Sequence, residues 1–142
     1  MTRFILHVGP HKTGTTYIQS HFRKYRPQLR ELGIDYPDEW CVPGVDHCHF
    51  GLFRQLRARQ WDELSSDMRR VRERGLDTVV VSAEDLSSLT EEELEFLREQ
   101  LDGEVSVVFY IRRWADIMPS SVQENIRQGS MLTLPELLLP HM

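Results

Sequence analysis

The residues most able to do chemistry lie in one short segment near the start of the chain, Gly9 to Thr16. Its sequence is GPHKTGTT, an unusual density of glycine, lysine and threonine. An apolar run of strand length precedes it, and a pattern with apolar residues every three or four positions follows it. Backbone N–H groups between a strand and a helix converge on anions, and the helix dipole favours negative charge there. The segment therefore predicts a phosphate-type anion site to which Lys12 adds a positive charge.

The spacing of this loop differs from that of nucleoside triphosphatases. A Walker A loop is G-x-x-x-x-G-K-[ST]. Gly9 and Gly14 keep the separation of the glycines, but Thr15 stands where the lysine belongs, and the lysine is Lys12 instead. We therefore expect an anion loop that is poorly suited to ATP hydrolysis. The simpler alternative is a strand-to-helix turn in which Thr15 or Thr16 is only the N-cap of the helix.

The rest of the chain alternates between strand and helix patterns. Two further β-branched or apolar runs, Thr78 to Ser82 and Val105 to Ile111, predict buried strands. Helical periodicity separates them, so we predict an α/β fold with a parallel sheet flanked by helices in three layers. The length of 142 residues predicts a single domain spanning residues 1–142.

Polar clusters follow each of the three main predicted strands. The first is the loop of Gly9 to Thr16, the second is Glu84 with Asp85, and the third is Arg112 with Arg113. Ligands of open parallel sheets bind outside the carboxyl ends of the strands. The sequence therefore predicts that these three clusters border one site.

Two of the clusters resemble motifs of a known family. The heptapeptide Pro10 to Thr16 resembles the PKTGTT-type 5′-phosphosulfate loop of sulfotransferases, with His11 between the proline and the lysine. Arg112 and Ser120, eight residues apart with Asp116 between them, resemble the 3′-phosphate motif of the same family. Trp114 departs from that motif, because many relatives have proline there. The chain is thus similar to bacterial sulfotransferases that use 3′-phosphoadenosine 5′-phosphosulfate (PAPS).

The resemblance implies a P-loop-type sheet and transfer of a sulfuryl group from PAPS to an acceptor hydroxyl or amine. A carbohydrate or glycolipid acceptor is one expectation, and no metal is expected. The product would be 3′-phosphoadenosine 5′-phosphate. Lys12 would also be catalytic, by stabilising the leaving phosphate. The residues that the resemblance assigns to PAPS are His11, Lys12, Thr13, Gly14, Thr15, Thr16, Arg112 and Ser120.

The acceptor must lose a proton, so a general base is required within hydrogen-bond reach. Glu84 is the expected base because it follows a buried strand at the ligand edge of the sheet, and it is the second catalytic candidate. His47 and His49 are the alternatives, and His11 is a weaker one. A role for Glu84 or Asp85 in helix capping or ion pairing also remains open.

Composition limits the other possibilities. The net charge of −5 argues against a general nucleic-acid binder, and no apolar run is long enough to predict a membrane span. No signal peptide is evident, so we expect a cytoplasmic protein with reduced Cys41 and Cys48. The spacing of these cysteines, with His47 and His49 nearby, matches no standard zinc pattern.

Sulfotransferase domains are usually longer than this chain. We therefore expect the fold to lack part of the family's C-terminal half, either as a fragment or as a short form. A non-catalytic nucleotide-binding or interaction domain is the main alternative, and a P-loop kinase is less favoured. The apolar tail from Leu132 to Leu139 predicts either a self-association surface or part of a truncated core.

Overall fold

The chain forms a parallel sheet with helices packed beside it. The structure is a computed structural model that describes residues 2–127 and 129. A short 3₁₀ helix, Glu84–Ser88, follows the third strand. The strands and α-helices are β1 (Arg3–Val8), α1 (Thr15–Lys24), α2 (Arg26–Glu31), β2 (Ile34–Asp35), α3 (Phe50–Arg57), α4 (Trp61–Glu73), β3 (Thr78–Ser82), α5 (Glu91–Gln100), β4 (Glu104–Phe109) and α6 (Trp114–Arg127).

The four strands of the sheet lie in the order β2-β3-β1-β4, and all neighbouring strands are parallel. Of the two central strands, β3 is a β-branched run that the sequence predicted as a buried strand, and β1 is the apolar run of strand length that precedes the loop. The prediction of an α/β fold with a parallel sheet and flanking helices is therefore confirmed. The finer assignment to a P-loop type stays a prediction.

The connections around β1 and β3 leave in opposite directions. From β1 the chain passes through α1 and α2 to β2, whereas from β3 it passes through α5 to β4 on the other side of β1. Right-handed crossovers place such connections on opposite faces of the sheet. The carboxyl ends of β1 and β3, where His7 is aligned with Ser82, therefore border a topological switch point.

Alternate strand residues form the main hydrophobic core on one face of the sheet. Leu6 and Val81 pack there with apolar side chains of α3 and α4, including Leu52, Leu64 and Met68. The opposite side is different, because α1 fully buries only Thr15 and Gln19. One face is thus held by apolar packing, while the start of α1 is held by polar contacts at the ligand edge.

The prediction that the last strand is buried is wrong. A strand forms at Glu104–Phe109, but Val105, Val107 and Phe109 are 40%, 62% and 51% exposed. These three side chains alternate along β4 and so share one face of the sheet, and at this edge strand of the described residues that face is left exposed.

Local signals in the sequence mark several helix ends correctly. Pro27 lies in the first turn of α2, which restarts the helical path after Tyr25. The Thr-x-x-Glu spacing of Thr90 and Glu93 predicts a capping box, and the two residues form it at the start of α5. The helical pattern of the sequence extends over residues 47–59, but α3 begins at Phe50. Pro119 lies inside α6.

The chain divides into two units, Met1–Tyr110 and Ile111–Met142. The prediction of one domain over residues 1–142 therefore stays a prediction. The predicted apolar tail, Leu132 to Leu139, lies outside the described residues. Among the helices of the described residues, none is long and apolar enough to cross a membrane.

Candidate functional site

The loop after β1 has an unusual backbone. Gly9 and Gly14 adopt φ angles of 144° and 87°, and Lys12 adopts a φ of 71°. Left-handed backbone is uncommon for a residue with a side chain, and such residues cluster at functional sites. The Thr13 hydroxyl donates to the Pro10 carbonyl oxygen at 3.0 Å, which closes the loop on itself. The loop is therefore a folded element with a defined conformation.

The first turn of α1 begins without a side-chain cap. Gly14 is the N-cap residue in left-handed conformation, and no side chain accepts a hydrogen bond there. The alternative in which Thr15 or Thr16 serves only as the N-cap is therefore wrong. Thr15 lies inside the helix instead, and its hydroxyl donates to Oε1 of Glu84. A helix start of this kind leaves its backbone donors for a ligand or for solvent.

Side-chain hydrogen bonds join α1 to the end of β3. The two residues that α1 buries fully are both polar, and each bonds to β3 or to the turn after it. Thr15 bonds to Glu84, and Gln19 Nε2 donates to Ser82 Oγ at 3.0 Å. Ser82 Oγ is also 2.7 Å from His7 Nδ1 on β1. These contacts fix α1, which follows the loop, relative to β3 and to the 3₁₀ helix that begins at Glu84.

Burial sets the protonation of His7. The side chain lies between β3 and Tyr110, with its ring centroid 4.7 Å from the Tyr110 ring. Burial lowers the pKa of His7, and the negative charge of Glu84 opposes this in part. His7 is therefore a neutral hydrogen-bonding group beneath the site at neutral pH.

His49 has a structural role, which removes one of the alternative bases. It is fully buried, and both ring nitrogens bond to backbone groups. Ser82 N–H donates to Nδ1 at 2.8 Å, and Nε2 lies 2.9 Å from the Pro37 carbonyl oxygen, to which it donates. Burial lowers the pKa of His49 to about 4. The ring is thus neutral and has no nitrogen available for a substrate.

An open cleft of about 370 Å³ lies beside Glu84. We call it the Glu84 cleft. His11 lies beside both carboxylates, with Nδ1 3.7 Å from Glu84 Oε2 and Nε2 3.5 Å from Asp85 Oδ1. The Glu84 side chain is only 12% exposed, whereas that of His11 is 63% exposed. The residues that line the Glu84 cleft are His11, Thr16, Val45, His47, Cys48, Phe50, Glu84 and Asp85.

The structure therefore brings together two of the three predicted clusters. The loop and Glu84 meet at the switch point, and His47 lies in the same cleft while its backbone oxygen accepts from the Tyr36 hydroxyl at 2.7 Å. A base role for Glu84 or for His47 is compatible with these positions, since both line the cleft.

The third cluster belongs to the second unit. Arg112 is exposed just before α6, and Ser120 is half-buried on that helix. Asp116 and Ser120 lie four residues apart and so share one helix face. Arg113 Nε donates to Asp116 Oδ2 at 3.1 Å.

The cysteines give no sign of a metal site. Cys41 and Cys48 are not bonded to each other, and burial raises the pKa of Cys48 to about 11, so its thiol stays protonated. Within residues 2–127 and 129, no group of three or more metal-ligating side chains is close enough to hold an ion.

Sequence reasoning missed the polar contacts beneath the loop. Gln19 and Ser82 were not predicted, although one signal was present. Gln19 follows Thr15 by four residues, so a polar pair occupies one face of a helix that should pack on a sheet. A buried polar face on such a helix indicates a hydrogen-bonded contact rather than apolar packing.

Comparison of the chain with family models, with curated proteins and with solved structures finds no match. The functional conclusion therefore depends on the loop, on the Glu84 cleft and on the two sequence motifs.

Proposed function

We propose that this protein binds PAPS and transfers its sulfuryl group to an acceptor hydroxyl or amine. The observation that carries the proposal is the hydrogen bond between Thr15 of the anion loop and Glu84 at the switch point of the sheet. An anion loop and a carboxylate base are the two groups that such a transfer needs side by side.

The donor half of the reaction is assigned to the loop. Backbone N–H groups from Thr13 to Thr16 and the Thr16 hydroxyl would hold the 5′-phosphate, because the Thr13 and Thr15 hydroxyls already donate to Pro10 and Glu84. Lys12 would stabilise the charge that develops on the bridging oxygen as the sulfuryl group leaves. Arg112 and Ser120 would hold the 3′-phosphate, where the guanidinium gives two parallel donors to one phosphate.

The acceptor half is assigned to the Glu84 cleft. Glu84 would take the proton of the acceptor while its other oxygen keeps the hydrogen bond from Thr15. The Thr15 bond fixes the carboxylate in place, so the base needs no reorganisation when the acceptor binds. His47, in the same cleft, is the alternative base.

A magnesium-nucleotide enzyme is the second candidate. Two adjacent carboxylates, Glu84 and Asp85, lie beside the hydroxyl groups of Thr15 and Thr16, and oxygen ligands of this kind suit Mg²⁺. The position of the lysine argues against this candidate. A non-catalytic nucleotide-binding domain is the third, and it would share the donor site.

The test is calorimetric titration with 3′-phosphoadenosine 5′-phosphate and, separately, with Mg-ATP. We expect the bisphosphate to bind and Lys12→Ala and Arg112→Ala to weaken it by about tenfold or more, because each removes a charged phosphate donor. Lys24→Ala and Arg98→Ala are matched controls, since both side chains are exposed and lie outside the loop and outside the 3′-phosphate motif.

Three results would count against the proposal. Absence of bisphosphate binding by the folded protein would contradict it, and preferential binding of Mg-ATP would favour the kinase. Equal losses in the control variants would mean that general positive charge, rather than a site, holds the nucleotide. Binding without turnover over a broad acceptor screen would favour the non-catalytic domain.

A further inference from the structure

The Glu84 cleft differs in charge from the loop beside it. It shares His11 and Thr16 with the loop, but the acidic side chains that line it are Glu84 and Asp85. Among the described residues that line it, there is no lysine or arginine. An anion placed in this cleft would face two carboxylates at short range, which is unfavourable in a partly desolvated site. The cleft is therefore suited to the acceptor and not to the phosphosulfate.

The side chain of His11 indicates what the two carboxylates attract. One imidazole ring lies between them, with a different ring nitrogen within 3.7 Å of each carboxylate. The ring is largely exposed and belongs to a loop, so it can be displaced by a ligand. A protonated amine offers three N–H donors and a full positive charge to the same pair of acceptors.

Part of the cleft lining is apolar. Val45, Cys48 and Phe50 line the cleft together with His47 and the two carboxylates. Phe50 is the first residue of α3, and its ring packs on Phe53 of the same helix, with ring centroids 5.7 Å apart. A cleft lined by a pair of acids and by apolar side chains suits an amphipathic cation of modest size.

We propose that the acceptor is an amino alcohol: a molecule with a protonated amine beside the reacting hydroxyl and an apolar portion. Asp85 would bind the amine, and Val45 and Phe50 would contact the apolar portion. Glu84 would take the hydroxyl proton as the oxygen bonds to sulfur and the sulfur–oxygen bond to the bisphosphate breaks, with the electron pair leaving on the bisphosphate. The inference rests on the proposed function in treating this ligand as the acceptor.

Three probes that differ in one group test the charge preference. They are 2-amino-1-phenylethanol, 1-phenylethane-1,2-diol and mandelate, which share a phenyl ring and a benzylic hydroxyl but are cationic, neutral and anionic. Binding to the full chain is measured by NMR titration, following the backbone amides of His11, Glu84 and Asp85. We expect the amine to bind about tenfold or more tightly than the diol, and mandelate to bind weakest.

A charge-removing variant locates the preference. Asp85→Asn keeps the shape of the side chain, and we expect it to reduce the advantage of the amine over the diol by at least about fivefold. Asp102→Asn removes an exposed carboxylate outside the cleft and should leave the ratio unchanged. The comparison of the three probes on the wild-type protein does not depend on either variant.

The outcomes separate this inference from the proposed function. Equal or tighter binding of the diol or of mandelate, or no binding of the amine, would overturn the amino-alcohol proposal even if the bisphosphate binds. An amine preference that survives Asp85→Asn would overturn the role of Asp85. An amine preference that Asp85→Asn reduces would support the cleft as a cation site, and if the bisphosphate then fails to bind, only the sulfotransferase proposal would fall.

Discussion

The environment of each polar residue determines its role at this site. Glu84 and His49 are both predicted bases, yet only Glu84 lies in the cleft, and it keeps one oxygen on Thr15. The two ring nitrogens of His49 bond to backbone groups. A side chain whose hydrogen-bonding atoms are all bonded within the protein has a structural role. A side chain with one such atom facing a cleft can also bind or act on a ligand.

The assignment of Glu84 as the base predicts how a substitution of this residue changes the rate of sulfuryl transfer. Glu84→Gln keeps the acceptor oxygen for Thr15 but cannot take a proton, so bisphosphate affinity should change by less than about threefold. The rate of bisphosphate release from PAPS in the presence of acceptor should fall by about 100-fold or more. Glu99→Gln, on the exposed side of α5, is the control. A similar rate of bisphosphate release in both variants would indicate that His47, rather than Glu84, is the base.

The burial of His49 predicts a dependence of stability on pH. Its pKa is about 4 in the folded protein and 6.5 in an unfolded chain, so the unfolded state binds the extra proton between these values. The resulting stability is fully present above pH 6.5 and is lost as the pH falls towards 4. The gap corresponds to about 3 kcal/mol in the free energy of unfolding.

Urea unfolding from pH 7.5 to pH 4 measures this dependence. His49→Gln should be less stable at neutral pH and should lose less further stability on acidification than the wild type. His21→Gln, on an exposed position of α1, should keep the wild-type slope. Parallel slopes for the wild type and His49→Gln would contradict the burial of a neutral ring.

At the scale of elements, polar and apolar contacts hold different helices on the sheet. Apolar side chains hold α3 and α4 on the sheet, whereas α1 is held near its start by the hydrogen bonds of Thr15 and Gln19. The apolar periodicity of α1 predicted a helix correctly, but it gave no information on these contacts. Hydrogen bonds depend strongly on distance and angle. A substitution that shifts the start of α1 would therefore also shift the loop relative to Glu84.

The attachment of α3 depends on one glycine. The Gly51 N–H donates to the Trp40 carbonyl oxygen at 2.8 Å, and a Cβ at this position would lie 2.6 Å from that oxygen. Gly51→Ala should therefore destabilise the protein by about 2 kcal/mol or more, although alanine normally stabilises a helix interior by about 1 kcal/mol. Arg54→Ala, exposed on the same helix, should change stability by less than about 0.5 kcal/mol. Urea unfolding distinguishes the two, and a stabilised Gly51→Ala would mean that α3 does not contact Trp40.

At the scale of the whole molecule, the exposed face of β4 is the feature least expected from the sequence. The apolar run VSVVFYI is as hydrophobic as that of β3, but Val107 on the edge strand β4 is 62% exposed while Val81 is fully buried. The apolar pattern of the sequence cannot distinguish the buried β3 from the exposed β4. The order of the strands and the packing around them decide which strand is covered.

A matched pair of substitutions tests this difference. Val81→Ala should lower the free energy of unfolding by roughly 2 kcal/mol, since it removes two buried methyl groups from a packed core. Val107→Ala should cost less than about 0.5 kcal/mol. Chemical denaturation of both variants measures the costs, and equal losses would show that the face of β4 is covered in the protein in solution.

The sequence alone determined the local features of this protein. The strand–loop–helix order, the glycines of the loop, the capping box at Thr90 and the restart at Pro27 follow from the preferences of a few neighbouring residues. The parallel α/β class followed from the alternation of apolar runs. Tertiary structure decided what depends on distant contacts: that Thr15 meets Glu84, that His49 is structural, that Gln19 and Ser82 join α1 to β3, and that β4 is exposed. These contacts join residues far apart in the chain, so strand order and crossover direction, rather than local pattern, bring them together.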